Sequence, residues 1–324
     1  MAATLRRLEA DGNSVAGVVE STNGLLDGPL LAAGLPVLRV DPWLLPRRPV
    51  GGSAPARTLA LRAKDNVGLL VPLDVRSGTL KGRTTEYDDA IAGSADVEKS
   101  MAKNGLFLEH GDATARQVAL TFDDGPSPFT DRVLDILRNY EAKATFFCVG
   151  LHADCYPKTV ARIAAEGHLL GNHTWSHPFV PDLTRDEMRF QIQATNQAIR
   201  MVTDVEPTLV RPPYGSRTPE ALVWMAEMGM TTVLWDADSR DWSLPGPDGI
   251  VANALSQARN GSIVLMHDGG GNREETVLAL PRILDSLLEQ GYTLVTADRF
   301  TAPADPAGSP VLQDVLPGVR GGEL

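Results

Sequence analysis

Short apolar runs recur through the second two thirds of the chain, separated by stretches with helical periodicity. They fall at residues 118–122, 143–149, 168–173, 208–211, 230–235, 262–266 and 292–296. Each is too short for a helix and reads as a buried strand. Between them, Thr130 opens a pattern carrying Val133, Leu134 and Leu137, and Pro157 opens another, as proline does in a first helical turn. Thr184 with Glu187 forms a capping box ahead of Met188, Ile192 and Ile199. Thr218-Pro219 starts a further helix, and residues 274–290 form a long amphipathic one, kinked at Pro281 and stopped by Gly291. Strands alternating with helices predict a parallel α/β fold. About seven parallel strands predict a barrel, with its chemistry at the C-terminal ends of the strands.

The first third is less regular. Residues 14–20 and 37–40 read as strands around a helix at 25–33, a βαβ-like unit. A Pro/Gly/Arg-rich stretch at 42–57 reads as a loop. Runs at 59–61 and 67–71 are strand candidates, and 95–104 is a short helix candidate. The organisation expected is therefore a small α/β accessory domain at 1–112, a barrel domain at 113–303, and a poorly ordered Pro/Gly/Ala-rich tail at 304–324.

Composition narrows the function classes. The chain has 324 residues, 43% of them hydrophobic, and a net charge of −11. It carries no basic patch, which argues against a nucleic-acid partner. No apolar stretch of signal-peptide or membrane-span length is visible, so the expectation is a cytoplasmic protein with no membrane partner. Cys148 and Cys155 match no zinc spacing, and Cys148, on a strand, reads as a buried free thiol.

The polar residues that interrupt this pattern cluster at strand ends. TFDDGP, at 121–126, puts adjacent carboxylates, Asp123 and Asp124, where a strand runs into a turn. Adjacent side chains there point different ways, so one acid can hold a metal while its neighbour does proton chemistry. Taken alone, Asp-Asp-Gly-Pro is equally a plain turn. GNHTWSHP places His173 and His177 four apart, a spacing that lets two imidazoles share an ion with Asp124 as third ligand. No glutamate lies between them, so a general base must come from elsewhere. RPPYG carries Arg211, able to hold a carboxylate bidentately. WDADSRDW carries Asp238 and Asp241, and IVLMHDGGG ends a strand on His267.

In this order TFDDGP, HTWSH, RPPYG, the D-x-x-x-W of Asp238 to Trp242 and the L-x-H of Leu265 to His267 resemble the NodB-type polysaccharide deacetylases, carbohydrate esterase family 4. The resemblance spans residues 115–300 and leaves the first third unaccounted for. It implies an irregular (β/α) barrel and a metal-dependent hydrolase that removes N-acetyl groups. It implies Asp124, His173 and His177 as ligands of a divalent metal, zinc first, with cobalt, nickel or manganese as alternatives. It also implies Asp123 as general base, Arg211 fixing that base, a Tyr214 backbone N–H facing the oxyanion, and His267 as general acid. Asp238 would orient His267, and Trp242 and Leu265 would wall the acetyl pocket. The implied partner is an N-acetylated sugar or glycoside, with a small metabolite or cyclic amide as the alternative, and residues 1–112 would shape access or oligomerisation. A non-catalytic sugar-binding module is disfavoured, because the base, the ligands and the acid are all present. Near the N-terminus, VVESTNGLLDGPLLAAGLPVLRVDP also resembles the start of insertion-sequence transposases, but without their other carboxylates.

Overall fold

The computed structural model describes residues 17–19, 37–39, 71–73 and 84–301, with side chains from Gly93 onward. Three short strands form one sheet: β1 (Gly17–Val19) pairs in parallel with β2 (Val37–Arg39), which pairs antiparallel with β3 (Val71–Leu73). The parallel β1–β2 pair matches the βαβ-like reading. The helix expected at 25–33 and the tail at 304–324 lie outside the described residues.

Nine further strands form a second, all-parallel sheet. They are β4 (Phe107–Leu108), β5 (Gln117–Asp123), β6 (Thr145–Cys148), β7 (Leu169–Asn172), β8 (Leu209–Val210), β9 (Thr231–Val233), β10 (Ala237–Asp238), β11 (Ser262–His267) and β12 (Thr293–Leu294). Their order is β10-β11-β5-β6-β7-β8-β9-β4, with β12 pairing the start of β5. The sheet curls until its far end returns to β11. His110 bridges to Ser262, and the Gly111 amide donates to the Gly261 carbonyl at 2.7 Å. All seven strands expected for the barrel are present, and β4 and β10 are additions of two residues each, too short to show a hydrophobic period.

Alternation along β5 sorts its side chains into two cores. Val118, Leu120 and Phe122 point outward into a cluster with Val133, Leu134 and Leu137 of α2 (Thr130–Asn139), Ile163 of α4 (Pro157–Ala165), and Leu280, Ile283 and Leu284 of α8 (Glu274–Glu289). Ala119 points inward with Phe147, Leu209, Val233 and Ile263. Thr121 and Asp123 share that inward face, so the strand itself delivers a carboxylate to the barrel mouth.

The helices start where the sequence says they should. The capping box at Thr184 and Glu187 opens α5 (Arg185–Thr203), and Thr218 accepts from the Ala221 amide at the start of α6 (Pro219–Glu227). Two were not anticipated: α3 (Gly150–Cys155), a single turn and a half, and α7 (Gly246–Gln257), whose first turn is rich in glycine and proline.

Described residues that precede 113 pack against the barrel. The short helix expected at 95–104 is the end of a twenty-residue helix, α1 (Thr84–Lys103). Met101 of this helix and Phe107 of β4 are buried with Ile192, Leu222 and Met225, and Glu98 pairs with Arg217 at 2.6 Å. These residues belong to the barrel, and burying two such side chains contributes about 1.5–3 kcal/mol each.

Candidate active site

Asp123 ends β5 and His267 ends β11, and the two are register partners on adjacent strands. Asp123 Oδ1 accepts from Arg211 Nη1 at 2.8 Å. Arg211 lies across the barrel interior, fully buried. Its Nη1 also donates to Thr121 Oγ1 (2.8 Å), its Nη2 to the Leu234 carbonyl (2.9 Å) and its Nε to the Val233 carbonyl (3.2 Å). The guanidinium stacks 4.3 Å over the Phe147 ring. With all three nitrogens engaged, Arg211 fixes one oxygen of Asp123 and leaves Oδ2 toward the cluster beside it.

That cluster is Asp124, His173 and His177. Asp124 Oδ1 lies 3.1 Å from His177 Nε2 and 3.5 Å from His173 Nε2. Three donors about 2.0–2.2 Å from one tetrahedral ion sit at about these separations from each other, so the residues fit a divalent metal. Two further observations agree. Asp124 Oδ1 is buried without a hydrogen-bond partner, and burial would raise its carboxyl, yet His177, His173 and His267 hold it well below the usual carboxylate range. His173 Nδ1 sits 2.6 Å from the Arg211 carbonyl, to which it can only donate, so Nε2 keeps its lone pair for the cluster.

The backbone around these three residues is unusual. Asp124, Thr174, His177 and Tyr214 all have positive φ, at 70°, 65°, 58° and 61°. Non-glycine residues there are costly and gather at functional sites. The loop between the histidines is held by α5: Gln191 Oε1 accepts from the Trp175 amide (2.8 Å) and the Ser176 amide (3.0 Å). Tyr214 turns its ring edge-on to His177, centroids 4.6 Å apart. The glycines of HDGGG serve a close approach. A Cβ on Gly269 would fall 2.0 Å from the Asp124 carbonyl oxygen, and one on Gly270 2.2 Å from Asp124 Oδ2.

His267 is the second pole of the site. Its Nδ1 is 2.7 Å from Asp241 Oδ1, and its backbone N–H donates to Asp241 Oδ2 at 2.8 Å. Burial alone would lower the imidazole, but the Asp241 carboxylate, with Asp124 and Asp123 beyond it, raises it to about 9. The partner expected from the sequence, Asp238, does not reach it. Asp238 Oδ1 accepts from the Arg240 amide at 2.8 Å, a local turn, whereas Asp241 is fully buried. Asp238 is on β10 itself, and the reversal after it turns the third residue on, Asp241, back under β11. Leu265, two residues before His267 on the same face of β11, is buried, and Trp242 stands 55% exposed on the turn after Asp241.

Several contributors carried no sequence signal of their own. Arg273 is buried, as is Asp268, whose burial pushes its carboxyl up to about 7. Thr276 donates to Asp241 Oδ2 at 2.8 Å. His152 sits with Nδ1 2.7 Å from the Asp124 carbonyl. Arg273 and His152 reach backbone carbonyls and Thr276 reaches the Asp241 carboxylate, contacts that sequence spacing does not display.

Comparison with known proteins gives a consistent set. The family profile described as polysaccharide deacetylase matches residues 110–233. A peptidoglycan-N-acetylglucosamine deacetylase of Bacillus cereus is 41% identical over 186 residues, 56% of this chain and 87% of that protein. A chitooligosaccharide deacetylase of Sinorhizobium fredii is 39% identical over 192 residues, 56% of this chain and 89% of that protein. Among solved structures, a peptidoglycan N-acetylglucosamine deacetylase in complex with 4-naphthalen-1-yl-N-oxidanyl-benzamide aligns with a TM-score of 0.60 at 37% identity, covering 62% of this chain and 95% of that one.

Proposed function

Because this chain belongs to the NodB-type polysaccharide deacetylases of carbohydrate esterase family 4, we propose that it removes N-acetyl groups from N-acetylglucosamine-containing oligosaccharides or glycan strands, and that its residues divide the work as follows. It is an N-deacetylase, releasing acetate and a free amine, and its family is metal-dependent. The observation that carries the division of roles is the separation of three functions at one barrel mouth: a metal-ligand trio, a carboxylate held by arginine, and an imidazole held by a different carboxylate.

A divalent ion held by Asp124, His173 and His177, zinc in this proposal, would acidify a water and polarise the acetyl carbonyl. Asp123 acts as base. Arg211 occupies Oδ1, and Oδ2, 3.8 Å from His173 Nε2, is the oxygen left to take the proton of the attacking water. The Tyr214 backbone N–H, on a turn tightened by its positive φ, donates to the oxyanion. His267 enters protonated, because Asp241 raises it to about 9, and passes that proton to the departing nitrogen. Leu265 and Trp242 bound the space for the acetyl methyl.

The test is a product screen by mass spectrometry. Purified protein, with zinc or cobalt and with chelator, is offered chitooligosaccharides, peptidoglycan fragments and small N-acetyl metabolites. Loss of one acetyl mass from the first two, abolished by chelator and restored by metal, is the expected result. Turnover confined to small metabolites would replace the substrate class. Full activity in excess chelator, with no metal by elemental analysis, would sink the assignment of Asp124, His173 and His177.

A further inference from the structure

We infer that Arg273 is a positioning residue that couples the two poles of the site, holding the acid pair Asp241–His267 and the glycine loop that presses on Asp124 in one frame. The inference rests on the deacetylase reading and adds to it a residue that touches neither substrate nor ion.

The argument begins with where the guanidinium sends its protons. Arg273 is buried, 5% exposed, and among the described residues no carboxylate oxygen lies within salt-bridge distance of it. It spends its fork on three backbone carbonyls instead. Nε donates to Gly269 at 2.6 Å, Nη2 to Gly270 at 2.9 Å, and Nη1 to Asp241 at 3.2 Å. Burying a cation this way is expensive unless its donors are satisfied, so its three acceptors must be held as firmly as it holds them.

Those acceptors belong to different machinery. Gly269 and Gly270 are the residues whose missing side chains let the loop press on Asp124, one against its carbonyl and one against Oδ2. Asp241 grips His267 at both the ring and the amide. Arg273 is therefore the one described side chain bonded to both groups, and its charge also favours the ionised form of Asp241. Lysine offers a single point charge on a flexible stem and cannot reproduce three bonds in a plane.

The site makes this separable from general stability. Thr276 donates to Asp241 Oδ2 but does not touch the glycine loop. Thr276→Val therefore loosens one pole alone, and an Arg273 variant loosens both. The charged groups facing His267 are Asp241, Asp123 and Asp124, with Arg273 behind Asp241.

The experiment compares wild type, Arg273→Met, Arg273→Lys and Thr276→Val in the full chain. It reads kcat and KM on a chitooligosaccharide, the pH profile of kcat/KM, and zinc affinity by competition with a chromophoric chelator. Both Arg273 variants should lose about 10–100-fold, the range for groups that orient metal ligands, in kcat and in zinc affinity, with KM little changed. Their alkaline limb should move to lower pH. Thr276→Val should move the limb and leave zinc affinity alone. If Arg273→Met does not fold, Arg273→Lys decides. Arg273 variants that lower only the melting temperature, with kcat, pH limb and zinc affinity unchanged, would overturn the inference. A wild type that binds zinc but deacetylates nothing would sink the deacetylase reading instead. The coupling would then be judged by zinc affinity and by the NMR titration of His267 across the same variants.

Discussion

Asp123 and Asp124 are neighbours in sequence with opposite surroundings, and their loss should look different. Asp123→Asn keeps all three ligands, so metal content should hold while kcat falls by about 10²–10⁴-fold, the range for positioned acid–base catalysis. Asp124→Asn removes the charged ligand whose Oδ1 sits between two imidazoles, so metal affinity should fall and excess metal should partly restore the rate. Metal analysis beside kcat for the two variants checks this; a metal-free Asp123→Asn with a metal-replete, active Asp124→Asn would reverse the roles. His267 makes a prediction about pH. Its folded value of about 9 lies above the ordinary value of 6.5, so the protonated imidazole stabilises the fold fully below 6.5, and that contribution is lost as pH rises through about 9. Activity needs the same proton and should fall along the same limb, with a bound dication moving it downward. Asp241→Asn should shift the limb to lower pH, whereas Asp238→Asn should leave it in place. The contrast is also where the sequence misled. The family resemblance implied Asp238, but a sequence cannot show that the chain reverses at Arg240, φ 53°, and buries the acid beside the tryptophan.

At the scale of elements, legibility followed length and period. Strands β5 and β11, with four apolar positions each, declared themselves, as did helices with a cap. Two-residue strands held only by pairing, β4 and β10, did not, because their stability is tertiary. The same holds for the loop after β11. The run of three glycines reads as flexibility, yet the geometry shows close contact: Gly270, at φ 70°, leaves no space for a Cβ beside Asp124 Oδ2. Gly270→Ala should therefore displace the ligand and weaken zinc binding by about 10–100-fold while the circular dichroism spectrum stays native. Unchanged affinity would mean that the loop yields.

For the whole molecule, we propose that the barrel takes in α1 and β4, ahead of residue 113. A chain beginning at Thr84 keeps Met101, Phe107 and the Glu98–Arg217 pair and should melt close to the full protein. One beginning at Ala113 loses a strand and two buried side chains worth about 1.5–3 kcal/mol each and should melt well below it. Equal melting temperatures for the two truncations would show that α1 and β4 add nothing to the barrel. Among the described residues no helix is long and apolar enough to cross a membrane. The barrel was legible because its strands alternate with capped helices. The residues proposed as ligands and base were legible as motifs and do converge in the fold, whereas the residues that hold them from behind were not legible.

The position of β5 has one more consequence. β11 pairs along one edge, and the other edge is shared, β12 taking its beginning and β6 its end. A strand flanked on one side along nearly all its length, and on the other at both its beginning and its end, leaves few amides that a local fluctuation can expose. Its backbone deuterium uptake should wait for global unfolding, later than that of the two-residue strands at the sheet's ends. The base would then sit on the last part of the molecule to open, and mild heating should stop catalysis through the loops that carry His177 and Asp241 before it disturbs the strand that carries Asp123.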